Sequence, residues 1–131
     1  RGFTLVELML VVIIIGILAA MAVPRMAGRS EDVRREVAKS DITLNIPTAL
    51  KLYELDSGAF PTTQEGLGAL TAAPPSAKSW KGPYLERIPL DPWGRSYQYR
   101  SPGSRRPYDY DLFSLGRDGV ESADDVVNWE G

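Results

Sequence analysis

Hydrophobic and polar positions follow different rules in different parts of the chain. From Phe3 to Val23 every residue except Thr4, Glu7 and Gly16 is apolar. As a helix this run extends about 32 Å at ~1.5 Å per residue, close to the ~30 Å hydrocarbon core of a bilayer. After Pro24 the pattern becomes amphipathic: Val33, Val37, Ile42, Ile46, Ala49, Leu50 and Tyr53 recur near the helical repeat. This predicts a helix continuing to Asp56, where Asp56, Ser57 and Gly58 followed by Pro61 stop it. Ser30, followed by Glu31 and Asp32, offers a place to restart the helix, with a capping hydroxyl and acids in the first turn. Pro24 beside Gly28 marks a place where helix can melt or kink. Pro47 removes a hydrogen bond inside the amphipathic part and predicts a bend near Ile46.

Beyond the helix stop, a short helix is predicted from Gln64 to Thr71, followed by a Pro/Ala/Ser loop. Past Trp80 the period shortens to two. Tyr97 and Tyr99, then Tyr108, Tyr110 and Leu112, alternate with polar residues on either side of the turn-rich stretch Ser101 to Pro107, which reads as an antiparallel hairpin. Leu85 to Leu90 is a candidate third strand, and Asp91, Pro92, Trp93 and Gly94 read as a tight turn. Most of the aromatic residues lie between Trp80 and Trp129. Such residues can bind glycans or RNA, but a small sheet on a helix needs them as core, and that reading is favoured. The fold class expected is α+β, with a long N-terminal helix packed on a small antiparallel β-sheet.

The apolar run admits three readings: a transmembrane anchor, a cleaved secretory signal and a buried central helix. Ala20, Met21 and Ala22 fit the small-x-small pattern of a signal cleavage site. Glu7 argues against a signal, because it puts an acid where basic and then apolar residues belong, and cleavage after Ala22 would sever the helix that follows. An ionisable group in a membrane span costs about 2.5 to 3.5 kcal/mol unless neutralised. Glu7 therefore either sits at headgroup level or pairs with a positive charge from another chain, such as a free N-terminal amine. Arg1 is the only basic residue before the run, whereas Arg25, Arg29, Arg34 and Arg35 follow it. Counted literally, that places the C-terminal part in the cytoplasm, but a chain that begins with Arg leaves the count incomplete.

The composition narrows the chemistry. The 131 residues contain no cysteine and no histidine, which removes disulfides, thiolate chemistry, histidine acid/base relays and the usual zinc or haem ligand sets. Any metal would be bound by oxygen. A net charge of -2, with no basic cluster longer than a dipeptide such as Arg34 and Arg35, argues against a nucleic-acid partner. No glycine-rich phosphate loop or nucleophile motif appears, so no catalytic residue is assigned and the chain is read as not an enzyme. Near the C-terminus, Asp118, Glu121, Asp124 and Asp125 crowd into an irregular loop with Gly116 and Gly119. Such a loop is either a solvated turn or an oxygen-ligand site for calcium, although its spacing is not that of an EF-hand.

At GFTLVELM, beginning with Gly2, the sequence resembles the processing site of the type IV pilin superfamily, with a Gly before the cut, a Phe after it and an acid five positions into the mature chain. The stretches LYELDSGAFPTTQEGLGAL, GPYLERIPLDPWGRSYQYRSPG, DLFSLGRDGV and ADDVVNW resemble the major-pseudopilin family of type II secretion systems over essentially the whole chain. The resemblance implies a subunit of the bacterial inner membrane with a single pass and a periplasmic C-terminal domain, polymerised into a helical periplasmic filament that drives export of folded proteins across the outer membrane. It divides the chain into a residual leader at 1–2, a transmembrane and filament-core helix at 3–24 and a periplasmic domain at 25–131.

The same resemblance assigns roles. Prepilin peptidase would cut between Gly2 and Phe3, and Phe3 would then be N-methylated. Glu7 would neutralise the Phe3 amine of a neighbouring subunit during assembly. Calcium would be held by the carboxylates of Asp118, Asp124 and Asp125 with backbone carbonyls of Leu115 and Ser122. Partners implied are further copies of the chain, minor pseudopilins, the inner-membrane assembly platform, and membrane lipid before assembly. Pro47 and the short loop between Asp118 and Asp124 depart from the family pattern. The rivals are an adhesive type IV pilin, many of which close a C-terminal loop with a disulfide that this chain cannot form, and a membrane-anchored calcium-dependent binding module.

Overall fold

The computed structural model describes residues 2–130, with the side chains of residues 22–27 outside the described set. The chain divides into two compact units between Val33 and Arg34. Helix α1 runs Leu5–Ser40. Its backbone stays helical at Pro24 and past Ser30, so neither a melted turn nor a new start interrupts it. Strong helix formers flank the proline, among them Ala22, Met26 and Ala27, and they offset the one missing N–H. Among the described residues no helix is long and apolar enough to cross a membrane. The apolar run of the sequence is completed by residues whose side chains lie outside that set.

In the second unit the end of α1 passes into a single π turn, Asp41–Asn45, and then into α2, Ile46–Ser57. The Ile46 N–H reaches back to the Asp41 carbonyl, five residues away. Pro47 thereby falls in the first turn of α2, where a missing N–H leaves nothing unpaired. The wide turn is fastened from both sides: the Asn45 amide donates to one Asp41 oxygen at 2.7 Å, and the Tyr97 hydroxyl donates to the other at 2.7 Å. Helix α2 ends as expected at Gly58, whose N–H caps the Glu54 carbonyl.

The extra residue of the π turn also sets which face is buried. Ile42, Ile46, Ala49, Leu50 and Tyr53 enter the core as the periodicity predicts, but Val33 and Val37 do not and remain 57 % and 49 % exposed. Ala38, four residues before Ile42, takes the inward position. Against this face pack Leu67, Leu70, Tyr97, Tyr110, Leu112 and Val126.

The sheet is small: β1 (Gln98–Arg100), β2 (Asp111–Ser114) and β3 (Val126–Val127) lie in that order, all antiparallel. Tyr99 pairs with Leu112 and Ser114 with Val126. The hairpin expected from Tyr97 to Leu112 is present, but its second arm starts only at Asp111. Tyr108 and Tyr110 lie in the connecting loop, and Tyr108 is 78 % exposed. The third strand comes from Val126 and Val127, not from Leu85 to Leu90. Pro89 has no N–H to give a ladder, and only an isolated Leu90–Ser96 bridge forms there. That bridge closes the predicted Asp91–Gly94 turn, in which the Gly94 N–H donates to the Asp91 carbonyl at 2.9 Å.

The helix expected over 64–71 shrinks to one 3-10 turn, Leu67–Leu70. Gly66 adopts φ 63°, a backbone that ends any right-handed helix begun at Thr62. Thr62 and Glu65 cap each other reciprocally at 3.1 and 3.2 Å.

The loop before β2 is wound around one buried carboxylate. Asp111 is fully buried and accepts main-chain N–H bonds from Ser104, Arg105 and Arg106 at 2.8 to 3.2 Å. Asp111→Ala leaves these donors unpaired and is expected to cost about 3 kcal/mol, read as a lower urea midpoint by tryptophan fluorescence. Trp80, Trp93 and Trp129 are the only tryptophans, so the signal reports this unit.

Burial raises the hydroxyl pKa of Tyr97, which also donates to Asp41, and that of Tyr99, both well beyond the ordinary tyrosine range; it pushes Tyr110 up to about 12. The folded rings hold their protons to higher pH than the unfolded ones. Their contribution is therefore complete below about pH 10 and is lost as pH rises through the folded values. Stability should fall progressively above about pH 10, with the ionisation of Tyr97, Tyr99 and Tyr110, read as the tyrosinate absorbance lost on replacing each by Phe, appearing together with unfolding rather than before it.

Candidate metal centre and N-terminal motif

After β2 the chain enters the acidic loop through Leu115 and Gly116. Gly116 has φ 72°, and a Cβ there would stand 3.0 Å from the Asp124 carbonyl and 3.1 Å from an Asp124 carboxylate oxygen. Glycine is needed for both reasons, and the close approach folds the two ends of the loop together. As a result Asp118, Asp124 and Asp125 bring one carboxylate oxygen each within 4.8 Å of one another. Ser122 lies among them. Its hydroxyl bonds Asp118 Oδ2 at 2.8 Å and also bonds Asp124 Oδ1, and its N–H donates to Asp125 Oδ2 at 3.2 Å.

The carboxylates are not equivalent. The Val120 N–H, with the Ser122 hydroxyl, holds Asp118 below the usual carboxylate range. Burial, together with the neighbouring acids Asp124, Asp118 and Glu121, pushes Asp125 up against the opposing pull of the Ser122 N–H. Asp125 is 9 % exposed, and its Oδ1 is buried with no hydrogen-bond partner. An orphaned buried carboxylate oxygen beside two further carboxylates is a poor arrangement for protein alone. It fits a hard cation. Calcium takes oxygens at about 2.3 to 2.6 Å, which puts two ligands on opposite sides of one ion up to about 5 Å apart.

Two arginines frame the loop, and the sequence pattern gave no signal for either. Arg35, on α1, donates to the Asp124 carbonyl at 2.6 Å. Arg95, just after the Asp91–Gly94 turn, donates to the Gly116 carbonyl at 3.0 Å and to that of Arg117 at 3.3 Å. Below them Asp91 binds the Ser114 hydroxyl at 2.7 Å, which in turn accepts the Gly116 N–H at 3.1 Å. Of the predicted ligand set, Asp118, Ser122, Asp124 and Asp125 are brought together. The Ser122 carbonyl, however, already accepts the Asp125 N–H at 3.3 Å.

At the other end of the chain, Glu7 makes a local contact. Its Oε2 accepts the Thr4 N–H at 3.0 Å and the Thr4 hydroxyl at 3.2 Å, while the Glu7 N–H donates to that hydroxyl at 3.2 Å. This is a reciprocal cap of the helix start. The T-x-x-E spacing ahead of an apolar run is a sequence signature of it, and Thr4 is the hydrogen-bonding neighbour that attention to Glu7 alone misses. Phe3 is 90 % exposed, and the large apolar side chains from Leu5 to Met21 are all more than half exposed.

Comparison with known proteins supplies the family. Residues 25–129 match the family described as Type II secretion system (T2SS), protein G, and residues 1–23 match the prokaryotic N-terminal methylation motif. The chain is 47% identical to the type II secretion system core protein G of Pseudomonas aeruginosa, over 98% of this chain and 94% of that protein. It is 46% identical to the core protein G of Klebsiella pneumoniae, over 98% and 94%. The crystal structure of the major pseudopilin from the type 2 secretion system of enterohaemorrhagic Escherichia coli is similar, with a TM-score of 0.70 and 36% identity, covering 78% of this chain and 87% of that one. With its amphipathic helix and small sheet matched over nearly all their length, and the methylation motif in front of them, the chain belongs to the type II secretion system protein G family.

Proposed function

We propose that this chain is the major structural subunit of a type II secretion pseudopilus, resident in the inner membrane before assembly and packed into a periplasmic filament afterwards. The observation that carries the reading is the helix from Leu5 to Met21, which shows apolar side chains on all sides, each more than half exposed. Such a surface is stable only in lipid or against other apolar helices. A filament subunit needs both environments in turn. The chemistry required is association without bond making, so no catalytic group is assigned.

Processing would expose the Phe3 amine, on which a methyl group is then placed, and Glu7 of one subunit would meet that amine in the next. Within one chain the Thr4 hydroxyl and N–H satisfy Glu7 Oε2, which lowers the cost of holding a carboxylate in a membrane until that partner arrives. Contacts of this kind are head-to-tail and build an open helix rather than a closed ring. Minor pseudopilins and the inner-membrane platform are the partners that such growth requires.

Calcium is the ion proposed for the acidic loop. Asp118, Asp124 and Asp125 would hold it with the Leu115 carbonyl, and the buried Oδ1 of Asp125 gains the partner it lacks. When bound, the ion supplies charge neutralisation and closes the loop. That cross-link replaces the covalent one that a chain without cysteine cannot make.

Glu7→Ala should leave the second unit folded but abolish filaments seen by electron microscopy of cells overproducing the full chain. Abundant filaments in that variant would exclude the charge pairing. For the ion, chelator should lower the melting temperature of the detergent-solubilised chain by about 10 °C relative to saturating calcium. Asp118→Ala should melt at the chelated value in either condition, as followed by tryptophan fluorescence.

A further inference from the structure

Asp124 uses its two ends differently. Its carboxylate faces the acidic cluster, while its main-chain carbonyl is held by Arg35 at 2.6 Å from a helix far away in sequence. On the opposite side of the loop Arg95 holds the carbonyls of Gly116 and Arg117. Together the guanidinium groups engage three carbonyls of the loop, and the Asp125 N–H engages that of Ser122. We propose that Arg35 is a positioning residue for the cation: by fixing the Asp124 carbonyl it orients the Asp124 carboxylate into the site and ties ion occupancy to the contact between the last turns of α1, from Arg34 on, and the loop. This rests on the calcium reading above.

Positioning by Arg35 and simple electrostatics act on the ion with opposite signs. Arg35 carries a positive charge close to a site for a divalent cation. Coulomb repulsion alone would make calcium bind more tightly once that charge is removed. Pre-organisation works the other way. Three carboxylates within 4.8 Å of one another repel, and without a fixed backbone the loop relaxes by separating them, so the ion must pay to gather them again. If positioning dominates, Arg35 and the ion stabilise each other, and the coupling is reciprocal. Each then strengthens the other by the same factor.

The test is titration of calcium alone into the detergent-solubilised full chain by calorimetry, for the wild type, Arg35→Gln and Arg35→Lys. Near-ultraviolet circular dichroism verifies that each variant is folded. The expected result is a calcium Kd raised about fivefold or more in Arg35→Gln, with partial recovery in Arg35→Lys, whose ammonium can still donate one bond to the carbonyl. The gain in melting temperature from calcium should shrink in the same order. A Kd that is unchanged or lower in Arg35→Gln overturns the positioning role while leaving the ion site standing. A wild type that takes up no calcium overturns the ion site itself and the inference with it. If Arg35→Gln fails to fold, Arg35→Lys decides alone: a Kd equal to or below the wild-type value refutes the proposal, and a raised one supports it.

Discussion

Aspartates that each gather several hydrogen-bond donors hold together the second unit of this protein. Regular structure there is scarce: α2 and three short strands must organise long irregular segments without any disulfide. Each of these segments is gathered around a carboxylate. Asp41 takes the Asn45 amide and the Tyr97 hydroxyl and so pins the π turn to the residue that leads into β1. Asp91 takes the Trp93 and Arg95 N–H groups and the Ser114 hydroxyl, which fixes the turn before β1 to the end of β2. Asp111 collects the N–H groups of Ser104, Arg105 and Arg106. A carboxylate accepts several donors at once, and bonds to a charged acceptor are about twice as strong as neutral ones, so a single side chain can replace a strand pair.

Asp125 breaks this rule in an informative way. It is 9 % exposed, yet one of its oxygens is buried without a partner and its neighbours are themselves acids. The same design that satisfies Asp41, Asp91 and Asp111 with protein donors leaves Asp125 to be satisfied by something else. In a chain without cysteine or histidine an oxygen-bound cation suits that position. The arginines around the loop, Arg35 and Arg95, donate to carbonyls and so shape the site from behind.

The first unit poses the opposite problem. From Leu5 to Met21 its helix has almost no polar side chain to satisfy and a great deal of exposed apolar surface. The exception, Glu7, is tied to Thr4, so the one charge in the apolar run is already half-satisfied within its own chain. The division of the molecule follows from this. One unit folds by internal burial and hydrogen bonding, while in the other the large apolar side chains from Leu5 to Met21 stay more than half exposed, a surface suited to lipid or to other apolar helices.

The sequence alone determined the features that depend on local order and composition. These include the apolar run with Glu7 inside it, the helix stop at Gly58, the Asp91–Gly94 turn, the antiparallel hairpin, and the restriction of metal ligands to oxygen. Each is set by residues adjacent in the chain or by residue types that are missing. The tertiary structure decided what depends on distant partners. Asp41 and Tyr97 meet across the core, and the π turn beside them moves Ala38 inward in place of Val37. Val126 and Val127, too few to show a strand period, become β3 because β2 offers an open edge. Arg35 reaches Asp124 across most of the chain. No periodicity encodes such pairings, because the free energy that selects them comes from satisfying buried charge and burying apolar surface in three dimensions at once.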